Sequence, residues 1–141
     1  MVTMSRTECR ILIVEDNPAD VTFLRRALRN DGLVADIVVV NDGDGAVNYL
    51  ERCSEETRPD LVVIDVNLPR RDGIDVLRKC RSKPALVDTK TMILTSSDAP
   101  ADHCRADLIG ANAYIQKPRA LAGFAEVVRT VRSLLNPQSA A

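Results

Sequence analysis

The chain has no tryptophan, and among its 141 residues only Phe23, Phe124, Tyr49 and Tyr114 carry aromatic rings. So sparse a set leaves little for the stacking platforms on which single-strand nucleic-acid binders hold bases. Cys9, Cys53, Cys80 and Cys104 lie far apart and form no CxxC pair. They read as reduced thiols rather than as a disulfide framework or a zinc site. No apolar run approaches the ~18 residues that a membrane-spanning helix needs, and "MVTMSRTECR" lacks the hydrophobic core of a signal peptide. A formal net charge of −1 provides no overall field toward nucleic acid or an anionic membrane. No repeat, low-complexity tract or Gly/Ser linker divides the chain. The expectation is one cytoplasmic domain with neither a nucleic-acid nor a membrane partner.

What the chain does have is short, continuous apolar runs rich in Val and Ile. They are "ILIV" at 11–14, "ADIVVV" at 35–40, "LVVI" at 61–64, "TMIL" at 91–94 and "AYI" at 113–115. Runs that do not alternate read as strands buried on both faces. Helical patterns separate them. "NPADVTFLRRALRNDG" offers Asn17 as N-cap, Pro18 in the first turn, an apolar face of Val21, Leu24 and Leu28, and Gly32 as the stop. "GDGAVNYLERC", "DGIDVLRKCRS" and the weakly amphipathic "APADHCRADLIG" follow. In "RALAGFAEVVRTVRSLL", Leu121, Phe124, Val128, Val131 and Leu135 form a stripe at helical spacing. Strand and helix therefore alternate five times, which predicts an α/β fold. The expected form is a doubly wound five-stranded parallel sheet in the flavodoxin-like order 2-1-3-4-5, with right-handed crossovers.

In that topology a site forms beyond the carboxyl ends of the first and third strands. "VEDN" places Glu15 and Asp16 there, and Asp65 ends "LVVID" beside them. Three carboxylates about 4 Å apart repel by about 4 kcal/mol per pair at an effective dielectric of about 20. Summed, that rivals the stability of a whole domain, so protons or a metal must relieve it. Hard oxygen ligands on few side chains suit Mg²⁺, with Asp16 and Asp65 as direct ligands and Glu15 acting through water. The fourth strand delivers Thr95 and the fifth Lys117 to the same crevice. A hydroxyl and an ammonium facing acids and a metal would make an anion clamp. Alone, each is weak evidence, since a Thr usually ends a strand as a strand former and a Lys before Pro is usually solvated.

Together "VEDN", "VIDVNLPRRDG", "ILTSSD" and "YIQKP" resemble the receiver domain of two-component response regulators, over about Ile11 to Leu135. The intervals of 30 residues from Asp65 to Thr95 and 22 from Thr95 to Lys117 also fit. The resemblance implies that Asp65 is the phosphoacceptor, loaded from a sensor histidine kinase. It implies Mg²⁺ held by Glu15, Asp16, Asp65 and the main-chain carbonyl of Asn67, with Lys117 pairing first with the carboxylate and then with the phosphate. It further implies a cis Lys117–Pro118 bond, and a switch in which Thr95 moves toward the phosphoryl group while Tyr114 turns inward. Asn67 and Ser97, neither acidic nor bulky, would set an intermediate phosphoryl lifetime.

Gly73 reads as a backbone position needing a positive φ or a close approach. Asp20 and Asp72 read as helix-start charges, and His103 as a surface residue. Domain limits are expected at 10–136, between tails at 1–9 and 137–141. "NPQSAA" is too short for an output domain, so a stand-alone receiver signalling to a downstream protein is expected, with no separate substrate turnover. "DVNLPRRDG" and the long "ERCSEETRPD" resemble the small regulators paired with bacterial phytochromes, which implies a phytochrome-like kinase. The resemblance also allows a homodimer through the face built from the fourth and fifth strands and helices.

Three rival readings remain. A haloacid dehalogenase-type phosphatase wants an acid two residues after its nucleophile, where Asn67 stands. A flavin mononucleotide binder wants a hydroxyl- and Gly-rich phosphate loop, where "EDNPAD" would repel one. A pseudo-receiver that is never phosphorylated would have no need of the acids, Thr95 and Lys117.

Overall fold

Successive residues of the central strands point to opposite sides of the sheet, and here both sides are covered. In β1 (Cys9–Val14) the side chains of Ile11 and Ile13 enter one apolar cluster, and those of Leu12 and Val14 enter another. In β3 (Leu61–Ile64), Leu61 and Val63 divide from Val62 and Ile64 in the same way. This two-sided burial is why the apolar runs do not alternate. The computed structural model describes residues 9–136. Of the tails expected at 1–9 and 137–141, residues 1–8 and 137–141 lie outside the described residues, while Cys9 already pairs with Ala35 in the sheet.

The remaining elements are α1 (Pro18–Asn30), β2 (Ala35–Val40), α2 (Gly43–Glu51), α3 (Gly73–Ser82), β4 (Lys90–Thr95), α4 (Pro100–Ile109), β5 (Ala113–Gln116) and α5 (Phe124–Leu135). Strands run parallel in the order β2-β1-β3-β4-β5, as expected. Helices α1 and α5 cover one face through Leu24, Leu28, Phe124, Val127, Val128 and Val131. Helices α2, α3 and α4 cover the other, where Ala46, Leu50, Ile74, Leu77, Cys80 and Ala106 are buried.

Local chemistry sets the helix ends. The Asn17 side chain accepts hydrogen bonds from the backbone N–H groups of Ala19 and Asp20, and Pro18 opens α1. Gly32 follows the helix with a φ of +81°, a conformation that costs a residue with a Cβ roughly 1 kcal/mol or more. Asp72 caps α3 by accepting from the Ile74 N–H at 2.8 Å, the helix-start role expected of it.

Two expectations are corrected. The run "ADIVVV" is not buried throughout, because β2 lies at the sheet margin; Asp36 and Val39 are exposed. Leu121 does not join the stripe of the last helix. Residues Leu121–Gly123 form a 3-10 turn, whose tighter winding swings Leu121 outward, and it is 67% exposed.

Candidate functional site

The parallel ladder carries four chemically distinct residues to one end of the sheet. Backbone pairing continues one residue past each strand. The Glu15 N–H donates to the Val40 carbonyl at 3.0 Å, Asp65 N–H to Val14 at 3.0 Å, and Lys117 N–H to Thr95 at 2.7 Å. Their side chains, and that of Thr95, therefore start from fixed backbone rather than from loose loop.

Asp65 is buried, and both of its carboxylate oxygens are occupied. Oδ1 accepts from the Thr95 hydroxyl at 2.6 Å and the Asn67 N–H at 3.0 Å. Oδ2 accepts from Lys117 Nζ at 2.9 Å. The same ammonium lies 2.7 Å from Glu15 Oε1 and 2.8 Å from Asp20 Oδ2. Glu15 also accepts the Asn17 N–H at 3.1 Å. Asp16 is exposed at the mouth, and one oxygen each from Glu15, Asp16 and Asp65 lie within 4.8 Å of one another. A cleft of about 520 Å³ opens onto these acids, lined also by Asn67, Ser96 and Lys117.

One ammonium serves three carboxylates, those of Glu15, Asp20 and Asp65, with Asp16 a fourth acid at the mouth. Burial pushes the Glu15 carboxyl up to about 7, against the hydrogen bond from Lys117 and with the Asp65 charge adding to the rise. Burial also works against the charge on Lys117, yet hydrogen bonds to Asp20, Glu15 and Asp65 hold its ammonium above the ordinary value. This surplus of hard oxygen, part buried and part open, fits a small divalent cation that keeps some of its waters.

Burial of Glu15 makes the stability of the metal-free chain depend on pH. Between its ordinary 4.5 and about 7 the folded chain holds a proton that the unfolded chain has lost. Without metal, the Glu15 contribution to stability is therefore full below about 4.5 and is lost as pH rises through about 7, a fall of no more than about 3 kcal/mol. Thermal unfolding in a chelator at pH 5 and pH 8 should show this fall, and Glu15→Gln should flatten it. An equally steep fall in the variant would assign the effect to another group.

The loop after Asp65 is clamped between two helices. A Cβ on Gly73 would stand 2.0 Å from the Asp65 carbonyl oxygen, and one on Gly43 would stand 2.1 Å from that of Arg71. Gly73 thus serves close approach, since positive φ among the described glycines is confined to Gly32 and Gly110. Between these contacts Arg70 adopts a φ of 72°. The Pro69 carbonyl accepts from the Gly43 and Arg71 N–H groups, and Arg71 Nε donates to Asp44 at 2.8 Å.

The structure brings together Glu15, Asp16, Asp65, Thr95 and Lys117, with Asn67 on the rim. Ser97 sits apart from the acid cleft: its hydroxyl donates to Asp102 at 2.6 Å on α4, and Ser96 lines the cleft instead. Tyr114 is half-buried and donates to the Ser97 carbonyl at 3.1 Å. Its ring stacks on His103 with centroids 4.4 Å apart, so His103 is a surface residue with a specific neighbour. The expected cis bond is absent: no described peptide bond is cis, and Lys117–Pro118 is trans. Trans is favoured by about 0.5–1 kcal/mol at an X–Pro bond, and Lys117 reaches all three acids from it.

Sequence reasoning missed the part played by Asp20. Its place three residues after the Asn17 cap marks a helix start, and its distance from Lys117 in sequence hid the ion pair. The signal available was the surplus of acids over cations at the strand ends, which calls for every carboxylate nearby to find a partner.

With these distances in view, the class follows: residues 11–129 match the family model for the response regulator receiver domain, and the chain belongs to that family. It is similar to the response regulator Rcp1 of Synechocystis sp., at 29% identity over 126 residues, covering 87% of this chain and 86% of Rcp1. The solved Mn²⁺-bound form of Rcp1 matches with a TM-score of 0.78 across 89% of this chain and 92% of that one. The phosphorylated cyanobacterial phytochrome response regulator RcpA matches with a TM-score of 0.82 at 32% identity, covering 92% of this chain and 94% of that one. The receiver domain of the sensor histidine kinase PA1611 from Pseudomonas aeruginosa has a magnesium ion coordinated in its active-site cleft. It matches at 29% identity with a TM-score of 0.70, covering 88% of this chain and 97% of that one. Beyond Rcp1, the chain spans about half the length of the curated relatives it matches, between 46% and 54%. Among the described residues no helix is long and apolar enough to cross a membrane.

Proposed function

We propose that this receiver, spanning 10–136, accepts a phosphoryl group on Asp65 from the phosphohistidine of a sensor histidine kinase. The observation that carries the reading is the double engagement of Asp65. One oxygen is held by Thr95 and Asn67 and the other by Lys117, beside acids able to hold a cation. A carboxylate oxygen attacks phosphorus, the P–N bond breaks, and the imidazole leaves with the electron pair. Glu15, Asp16, Asp65 and the Asn67 carbonyl would hold Mg²⁺, which supplies charge neutralisation for the incoming phosphoryl oxygens. Lys117 then moves its hydrogen bond from carboxylate to phosphoryl oxygen, and the Thr95 hydroxyl takes another.

The switch lies in the next shell of contacts. Thr95 already points at Asp65, and Tyr114 already holds the Ser97 carbonyl, so phosphorylation would fix this arrangement and present the α4–β5–α5 face to a downstream protein. A homodimer through that face is part of the same reading, with Leu108, 81% exposed on α4, available to it. A phytochrome-like kinase is the partner in this reading, supported by the similarity to Rcp1 and RcpA, and the ATP that such a kinase consumes supports a cytoplasmic setting. Asn67 and Ser97 give an intermediate phosphoryl lifetime.

Incubation with a small acyl phosphate tests the reading. Mass should rise by one phosphoryl group when Mg²⁺ is present and stay unchanged with a chelator, and the label should decay after the donor is removed. A chain that stays unlabelled with Mg²⁺ present is a pseudo-receiver.

A further inference from the structure

We propose that Asp20 is a positioning residue that keeps Lys117 in the cleft once a divalent cation occupies the Glu15–Asp16–Asp65 group. The inference rests on the receiver reading above. Lys117 Nζ is held by Glu15, Asp20 and Asp65 at 2.7, 2.8 and 2.9 Å. Two of those partners belong to the group able to hold a metal, and Asp20 does not. A cation there draws the charge of Glu15 and Asp65 to itself and repels the ammonium directly. Lys117 has a flexible stem and the cleft is open, so solvent is its outlet. Asp20 blocks that outlet from a fixed base: it stands in the first turn of α1, whose start is pinned by Asn17. Its side chain is 28% exposed and that of Lys117 13%, so the pair is screened less than a surface pair. The ammonium then stays within reach of the oxygens that a phosphoryl group brings to Asp65.

The test reads Lys117 itself. In the full chain with ¹⁵N-labelled lysine, the Lys117 ammonium resonance is followed in wild type, Asp20→Asn and Asp20→Glu, with and without saturating Mg²⁺. Wild type should keep a protected resonance in both states. Asp20→Asn should keep it without metal and lose it with Mg²⁺, and Asp20→Glu should restore it. Labelling by acetyl phosphate at saturating Mg²⁺ should slow about tenfold in Asp20→Asn. In a Lys117→Gln background the same change should cost less than about twofold, because a residue acting through Lys117 has nothing left to position. A Lys117 resonance that survives Mg²⁺ in Asp20→Asn overturns the proposal, as does an equal slowing in both backgrounds. Mg²⁺-dependent release of Lys117 in a chain that never labels would support Asp20's role while refuting the phosphotransfer reading.

Discussion

Asp65→Asn should remove phosphoryl incorporation almost entirely, by at least about a thousandfold in rate, as expected when the attacking group itself is lost. An amide oxygen is neutral and a poor nucleophile, and no other carboxylate takes its place. Asp16 is exposed at the mouth, and Glu15 is tied by Lys117 and the Asn17 N–H. The substitution keeps shape and most contacts. An amide oxygen can still accept from Thr95 and the Asn67 N–H, and Lys117 retains Glu15 and Asp20. One negative charge leaves a cluster that holds too many, so without metal the variant should melt no lower than wild type. Mg²⁺ should raise its melting temperature less, since one ligand is gone. Intact-mass labelling and thermal unfolding, each with and without Mg²⁺, read both effects. A variant that labels at the wild-type rate would move the acceptor elsewhere, and one that simply fails to fold would show Asp65 to be chiefly structural.

The strands, their order and the meeting of acids from β1 and β3 were legible because they follow from period and topology. Unbroken Val and Ile mean two covered faces, and parallel strands deliver their carboxyl ends to one side. The failures share a different physics. "ADIVVV" is as apolar as a central strand, yet position in the sheet rather than composition decides its exposure. Leu121 keeps helical spacing with Phe124, but the chain there winds as a 3-10 turn. The Asp20–Lys117 pair joins residues 97 positions apart, and only the packing of α1 beside β5's end makes them neighbours. The isomer at Pro118 turns on less than about 1 kcal/mol, too little for a motif to fix.

Gly73→Ala is the second large effect, and it separates space from backbone strain. The new methyl would meet the Asp65 carbonyl oxygen at 2.0 Å, its carbon at 2.8 Å and the Val66 Cα at 2.9 Å. All three are backbone atoms, so no side chain can turn aside. The loop carrying the acceptor must shift, and Gly43's equally close approach to Arg71 on its other side resists that shift. Overpacking of this kind costs about 3 kcal/mol, or a melting temperature about 10 °C lower at this chain length. Gly32→Ala provides the control. Its φ of +81° disfavours a side chain, but no atom lies within 4 Å of the added carbon, so roughly 1 kcal/mol is expected. The two variants should differ more in chemistry than in stability. Moving Asp65 by even a fraction of its hydrogen-bond length separates it from Thr95 and Lys117, so Gly73→Ala should label about a hundredfold more slowly while still folded. Gly32→Ala, at the far end of α1, should label as wild type does. Equal labelling rates in the two would mean that the loop yields without disturbing the acceptor, and that Gly73 serves packing alone.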